Sequence, residues 1–520
     1  MVTRGRVRRG ILTLAILTAP ACAARHAASL PDNGKPSGHA AAHPGGSAVR
    51  ALQSDLAQVF GAPVMARGVW GVDIRSLDTG ERLYQLDADK LMMPASNMKI
   101  LTLATAADIL GWDYRFTTTL ETTASVDGGV LRGDLIVRGT GDPTINTRAN
   151  RAAAVFDEWA AALGSAGIRA IDGNVVGDDQ AFDDEGIGAG WAWDYLQYGY
   201  AAPVGALQFN EDVADLTIEA GAATGDPAAV RLTAGSGLML LNRAVTGSAG
   251  SENTIDYRRH LERPVLEITG SIPAGAKADV REVAVVNPTI FFAQALKDAL
   301  VARGIAVRGD AVDFDDVAAQ ALASGAATTS RRVLASSASP PLREIAMVLM
   351  KVSQNLYAET LLKALGTAHG GLGTAQAGQA AVHSTLTAWG VSDDHYVQAD
   401  GSGLSRYNYV TPATVTAILE HLYRDPRHRD AFLATLAIAG KDGTIASRMK
   451  RTPAEGNAVA KTGSIANVRS LSGFVRTRDG EMLVFSILAN DFVIPSTTVN
   501  WIADLAIEIL SNFSRNRSHQ

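Results

Sequence analysis

Three short patterns in this chain carry residues able to do acyl-transfer chemistry. The first is Ser96-Asn97-Met98-Lys99, a serine and a lysine three residues apart. On a helix, positions i and i+3 share a face, so the hydroxyl and the amine can meet. A serine hydroxyl is a weak nucleophile until a base sits beside it, and a lysine is a base only where its surroundings favour the neutral amine. The second is Ser353-Gln354-Asn355 and the third is Lys461-Thr462-Gly463, followed by Ser464. No pattern is specific alone. Ser447-x-x-Lys450 also matches the first, and Ser251-x-Asn253 and Ser514-x-Asn516 match the second. Only the Lys-Thr-Gly run occurs once.

Context separates them. Pro94 precedes the first pattern, and the apolar run Ile100 to Leu110 ends at Gly111. Pro at the start and Gly past the end are helix punctuation, so Ser96 sits at a helix N-terminus. Its backbone N–H and the helix dipole then favour negative charge developing on a substrate oxygen. Ser353 to Asn355 interrupts two helical runs, Leu342 to Val352 and Leu356 to Leu365, and Val459 to Gly463 reads as a strand. Ser447–Lys450 lies in a basic segment with no helix start before it, and Ser514–Asn516 in a polar tail. Roles follow from residue type. Ser96 attacks a carbonyl, and Lys99 is the base. Ser353 relays a proton to the leaving amine, and Asn355 orients Lys99 and bonds a substrate amide. Lys461 supplies positive potential and, as a neighbouring cation, helps lower the Lys99 pKa. The Thr462 and Ser464 hydroxyls beside Gly463 suit a terminal carboxylate.

Around these residues the texture changes twice. Val49 to Phe60 is a helix, and two strand-like runs flank a turn at Asp78-Thr79-Gly80. From about 116 to 335, short apolar runs alternate with Gly/Asp turns, a β-rich block whose two lobes divide near 145 and 235. From Pro340 helices return, then a strand–turn–strand around Asp479-Gly480 and a closing helix from Pro495 to Phe513. The two ends form one discontinuous α/β domain with an insertion.

The totals narrow the function. The chain has 520 residues, and its single cysteine, Cys22, rules out a disulfide framework and a thiolate metal site in the mature protein. Arg4, Arg6, Arg8 and Arg9 precede an apolar stretch from Ile11 to Ala19 too short to span a bilayer, followed by small residues. This is an export signal over 1–23, cleaved after Ala21 or Ala23, with a flexible leader over 24–48. Cys22 either leaves with the signal or carries a lipid that anchors the protein. Loss of the four arginines takes the formal charge from −6 to −10, which argues against nucleic acid as a partner. No His-Glu-x-x-His and no Gly-x-Ser-x-Gly occurs, which disfavours a zinc peptidase and an α/β-hydrolase. No cofactor is expected. The acidic run Asp178 to Glu185 reads as a solvated turn or a contact for a cationic stem peptide. Trp191, Trp193, Tyr195, Tyr198 and Tyr200 read as packing or as a glycan platform.

In this order the three patterns are those of class A β-lactamases and penicillin-binding proteins. The chain resembles a penicillin-binding protein of the D-alanyl-D-alanine carboxypeptidase/endopeptidase type, the class C low-molecular-mass group, peptidase family S13. The 257 residues from Ser96 to Ser353 favour that branch, since class A β-lactamases and simpler carboxypeptidases have a much shorter gap. Val137 to Pro143, Tyr200 to Val204, Tyr357-Ala358-Glu359 and Asp400 to Arg406 are similar to family runs. Gly205 before Ala206 departs from the usual Ser, and Ser464 stands where Thr is commoner, keeping the hydroxyl. The resemblance implies a discontinuous α/β transpeptidase-like domain (49–116 and 336–515), an antiparallel sheet flanked by helices, with inserted β-rich domains over 117–144 with 235–335 and over 145–234. It implies a periplasmic serine D,D-peptidase that cleaves D-Ala-D-Ala ends and cross-bridges of peptidoglycan. It also implies Ser464 N–H as second oxyanion donor and covalent inhibition by β-lactams. A β-lactamase and a non-turning-over penicillin sensor are the rival readings; peripheral membrane association stays open.

Overall fold

The structure is a computed structural model, and it describes residues 44–317, 330–368 and 370–516. The expected export signal, Cys22 and the leader up to residue 43 lie outside the described residues. The leader was expected to reach 48, but a helix already runs over Pro44–Phe60 (α1), with Ala48 and Val49 buried. The extra turn forms because those two side chains join an apolar cluster with Leu52, Leu56 and the closing helix.

The central sheet has six antiparallel strands. They are Val69–Ser76 (β1), Arg82–Leu86 (β2), Ala437–Ile438 (β3), Val459–Ile465 (β4), Val468–Arg476 (β5) and Met482–Asn490 (β6), in spatial order β2-β1-β6-β5-β4-β3. Two ends of the chain therefore meet in one sheet, β1 pairing with β6. Every residue of β6 is buried, because helices cover both faces. One face carries α1 and Ser496–Asn512 (α5). The other carries Met98–Ile109 (α2), Asn355–Thr367 (α3) and Pro412–Arg424 (α4). Thr411 caps α4 by accepting from Thr414 N at 3.1 Å, with Pro412 at the first helical position. Helix α2 is buried continuously from Met98 to Ala107, as an interior helix with no polar stripe must be.

The intervening block holds two further cores. One gathers a five-stranded sheet of Ala311–Asp313, Val175–Asp178, Leu135–Gly139, Thr117–Thr122 and Arg332–Ala338, under helices Arg151–Ser165 and Pro288–Ala302. The other packs Val213–Glu219, Asp279–Ala284 and the short strands between them. The division expected near 145 runs through the first core, because Val175–Asp178 pairs in parallel with Leu135–Gly139. The division expected near 235 runs through the second, because Leu216 and Ile218 bury with Leu266 and Ile268. Parallel pairing across a long crossover at the first, and antiparallel pairing of Val213–Glu219 with the distant Asp279–Ala284 at the second, leave no local sequence mark at either boundary.

The helix expected over Leu342 to Val352 is helical only to Met347. It widens into a π-helical turn over Val348–Val352 and ends at Ser353 in left-handed conformation, φ 68°. Such turns recur at functional sites because they redirect the chain without ending the helix.

Candidate active site

Ser96 lies in a 3-10 turn, Ala95–Asn97, that runs directly into α2. The loop before it is clamped. Asn490 on β6 donates to Met93 O at 3.0 Å and accepts from Met93 N at 2.8 Å. Ser470 on β5 donates to Pro94 O at 2.7 Å, and Asn97 donates to Ser472 at 2.6 Å. The nucleophile candidate thus sits on the sheet with its position set by backbone bonds, and its own N–H faces β4. A Cβ built on Gly463 would lie 2.9 Å from Ser96 N and 2.7 Å from Pro94 O. Only a glycine lets the strand come that close.

Lys99, the second residue of α2 and about one turn beyond Ser96, is completely buried. Its Nζ donates to Asn355 Oδ1 at 2.6 Å, to Ser402 O at 2.8 Å and to Ser96 Oγ at 3.0 Å. Three acceptors match the three protons of an ammonium. With one proton gone, Asn355 and Ser402 keep their bonds and the lone pair faces the Ser96 hydroxyl. Burial lowers its pKa to about 7, against the opposing pull of Asp400 and Glu359. Burial and a cationic neighbour were the two causes expected from the sequence. Burial is the one that acts on Lys99, and the effect of cation on cation appears at Lys461, pushed well down by burial first and by the Lys99 charge second.

Lys461 on β4 is also fully buried; its Nζ donates to Ser353 Oγ at 2.8 Å and to Thr462 O at 2.7 Å. Asn355, at the start of α3, accepts from Lys99 and donates to Tyr200 O at 2.7 Å. Thr462 Oγ1 donates to Thr444 Oγ1 at 2.7 Å. All eight residues marked from the sequence therefore converge, and Ser96, Ser353, Asn355, Thr462 and Ser464 line one cavity of about 600 Å³ with Tyr195, Tyr200 and Thr444. No carboxylate is among its lining residues.

From the sequence, Glu359 and Asp400 stand in two of the family-like runs but carry no assigned role in the chemistry; in the structure they form an acidic pair behind Lys99. Glu359 accepts from Gly401 N at 2.9 Å and from Ser402 N at 2.8 Å. Asp400 accepts from Gly403 N at 2.7 Å, Ser405 N at 2.6 Å, Asn408 Nδ2 at 2.7 Å and Trp191 Nε1 at 2.9 Å. Both are buried, and burial together with Asp400 pushes the Glu359 pKa up to about 7. A signal existed: Glu359 is i+4 from Asn355 and so shares its helix face. Asp400 anchors the Gly-rich turn formed by the run Asp400 to Arg406. Gly403 there has φ 85°, and a Cβ on it would fall 1.8 Å from Ala95 O.

Of two other features, the acidic run departs from its sequence reading, while the aromatic cluster keeps its packing reading at Trp191 and also faces the cavity. The acidic run is used inside the molecule, with Asp178 paired to Arg331 and Asp183 to Lys363 at 2.5 Å. Trp191 is buried against Asp400, while Tyr195 and Tyr200 stand edge to face at 5.6 Å on the cavity wall. Among the described residues no cluster of three or more His, Cys, Asp or Glu side chains suited to a metal occurs, and no helix is long and apolar enough to cross a membrane.

Comparison with known proteins gives consistent matches. A family profile described as "D-Ala-D-Ala carboxypeptidase 3 (S13) family" matches residues 52–507. Over 457 residues the chain is 35% identical to a D-alanyl-D-alanine carboxypeptidase of Actinomadura sp. (strain R39), covering 86% of this chain and 82% of that one. It is 27% identical over 429 residues to D-alanyl-D-alanine carboxypeptidase DacB of Haemophilus influenzae, covering 81% and 85%. The crystal structure of penicillin binding protein 4 from Haemophilus influenzae superposes with a TM-score of 0.76 at 26% identity, over 88% of this chain and 99% of that one.

Proposed function

The chain belongs to the D-Ala-D-Ala carboxypeptidase 3 (S13) family, and from that premise we propose that it is a serine D,D-peptidase acylated at Ser96. One observation carries the reading: a fully buried lysine amine 3.0 Å from a serine hydroxyl at the floor of an open cleft.

The reaction runs as follows. A peptide ending in D-Ala-D-Ala lies along the free edge of the cleft, its terminal carboxylate at the Thr462 and Ser464 hydroxyls near Lys461. That negative charge favours the protonated form of Lys461, and the positive charge then pushes Lys99 further toward the neutral amine. Lys99 Nζ takes the Ser96 proton as Oγ attacks the penultimate carbonyl carbon. The oxyanion is held by Ser96 N–H and the Ser464 N–H on β4; losing one such donor costs about 3 kcal/mol of barrier. Ser353, bonded to Lys461, hands its proton to the leaving amine and takes in exchange the proton that Lys99 removed from Ser96, so D-Ala departs and Lys99 is neutral again. Water then adds to the acyl-ester, Lys99 again taking a proton, and Ser96 is restored.

The same chemistry applied to a bridge between two stems is endopeptidase action. A β-lactam places an amide carbonyl at Ser96 but keeps its leaving nitrogen tethered, so the adduct persists. The cleft walls hold no carboxylate to activate water, which favours slow deacylation over a β-lactamase. The proposed substrate and the expected export signal support a periplasmic location, with lipid anchoring through Cys22 as the alternative.

Mass spectrometry after penicillin and after a D-Ala-D-Ala peptide tests this, with wild type beside Ser96→Ala. An adduct and D-Ala release in wild type alone are expected. An adduct without peptide turnover would mean a sensor, and rapid penicillin turnover a β-lactamase. D-Ala release by Ser96→Ala would overturn the site.

A further inference from the structure

Gln354, between Ser353 and Asn355, has no chemical role in that reaction, yet its side chain is tied down at both ends. Its Oε1 accepts from Leu356 N at 3.2 Å, capping α3, and its Nε2 donates to Glu211 Oε2 at 2.5 Å. Glu211 comes from the inserted block. It sits where three successive non-glycine residues, Asn210, Glu211 and Asp212, all take left-handed backbone, φ 50°, 58° and 54°. Left-handed conformation disfavours each of them, and such strain persists only where surrounding contacts fix it. Here they do. Asp212 is fully buried and accepts from Phe209 N at 3.1 Å, and Asn210 N donates to Ile145 O at 3.0 Å. Arg148 holds the Glu211 carboxylate through Nε at 2.5 Å and Nη2 at 3.1 Å. Tyr357 OH donates to it at 3.5 Å, and Asn146 in turn donates to Tyr357 OH at 3.1 Å.

The other end of the contact is strained as well, since Ser353 is left-handed directly after the π-helical turn. A second cavity, about 370 Å³, opens along this contact and shares Tyr200, Ser353 and Asn355 with the first. Packing alone therefore does not hold the loop from that side. We propose that Glu211 is a positioning residue for the Ser353–Asn355 loop: by holding the Gln354 carboxamide it sets the neighbouring side chains that reach Lys461 and Lys99. The inserted block, which already lends the cavity Tyr195 and Tyr200, thereby also sets side chains that belong to the C-terminal part of the chain. This rests on the reading of Ser353 and Asn355 given above.

The experiment separates acylation by benzylpenicillin into reversible binding and the covalent step, for wild type, Glu211→Gln, Gln354→Ala and the double variant. Both single variants should acylate at least tenfold more slowly, with reversible binding within about twofold and thermal unfolding little changed. The double variant should be no slower than the worse single one, because the two changes break one contact. Wild-type acylation by Glu211→Gln, or losses that multiply in the double variant, would overturn the positioning role. If Glu211→Gln does not fold, Gln354→Ala on the half-exposed loop carries the same comparison. Failure of the wild type itself to acylate would instead overturn the reading of the site.

Discussion

Lys99 and Glu359 are joined through the backbone of one residue: Ser402 O accepts from Lys99 Nζ at 2.8 Å, and Ser402 N donates to Glu359 at 2.8 Å. The lysine proposed as the base is thus fixed by a turn whose own shape depends on buried carboxylates. The pair has opposing effects on Lys99: it orients the amine, and its charge resists deprotonation.

The pH dependence of acylation follows from that balance. Lys99 acts as a base only when neutral, and its pKa is lowered to about 7. Penicillin acylation should rise about tenfold per pH unit below that value and level off above it. Stopped-flow acylation between pH 5 and 9 reads this directly. A rate that falls as pH rises through 7 would mean that the protonated lysine is the active form.

Glu359→Gln removes one of the two negative charges that hold the Lys99 pKa up. The inflection should move to lower pH. The carboxamide can accept from only one of the Gly401 and Ser402 amides through its oxygen, leaving the other opposed by an NH2 group. That costs about 1–3 kcal/mol of stability. The acylation pH profile and the thermal midpoint measure the two effects separately, and an inflection moved upward would contradict the charge argument.

Gly403→Ala should remove acylation and lower stability. A methyl group there overlaps Ala95 O, next to the nucleophile, and left-handed backbone adds roughly 1–2 kcal/mol for any non-glycine residue. Gly480→Ala is the control, since it shares the positive φ but has nothing within 4 Å. Equal loss of acylation in both would rule out the contact with Ala95 as the cause.

Thr462→Val keeps the shape and removes the hydroxyl. Loss of one charge-assisted hydrogen bond is worth about 1.5–3 kcal/mol, or roughly ten- to a hundredfold. KM for a peptide with a free C-terminal carboxylate should rise by that factor, while an amidated peptide should be little affected. Parallel loss on both substrates would place the carboxylate elsewhere.

Asn490→Ala cuts both bonds that hold Met93. Met93 is half-buried, so its two backbone groups left without partners cost up to about 1–3 kcal/mol each. Unfolding midpoints would show that loss, and acylation should fall with it because Ser96 follows three residues later. A stable variant with slow acylation would show that the clamp aligns the nucleophile more than it holds the fold.

How much was legible in the sequence depends on the range of the interaction involved. Ser96 and Lys99 were legible because i,i+3 spacing and Pro94 are local. Lys461 was legible because its strand carries its own pattern. The inserted lobes were mis-divided because parallel pairing of Val175–Asp178 with Leu135–Gly139 depends on a distant partner. The π-helical turn before Ser353 has no composition to distinguish it from an ordinary helix end.

The amino-acid sequence alone determined which side chains could do chemistry, their order along the chain, and the presence of a large insertion between the first and second motifs. Local spacing and residue type suffice for that. Only the tertiary structure decided the protonation landscape. Lys99 and Lys461 become weak holders of a proton because the fold removes both from water, and Asp400 and Glu359 affect Lys99 because segments 301 and 260 positions away fold against it. Desolvation and Coulomb interaction depend on distance in space and on exclusion of solvent, and neither is a property of neighbouring letters in a chain.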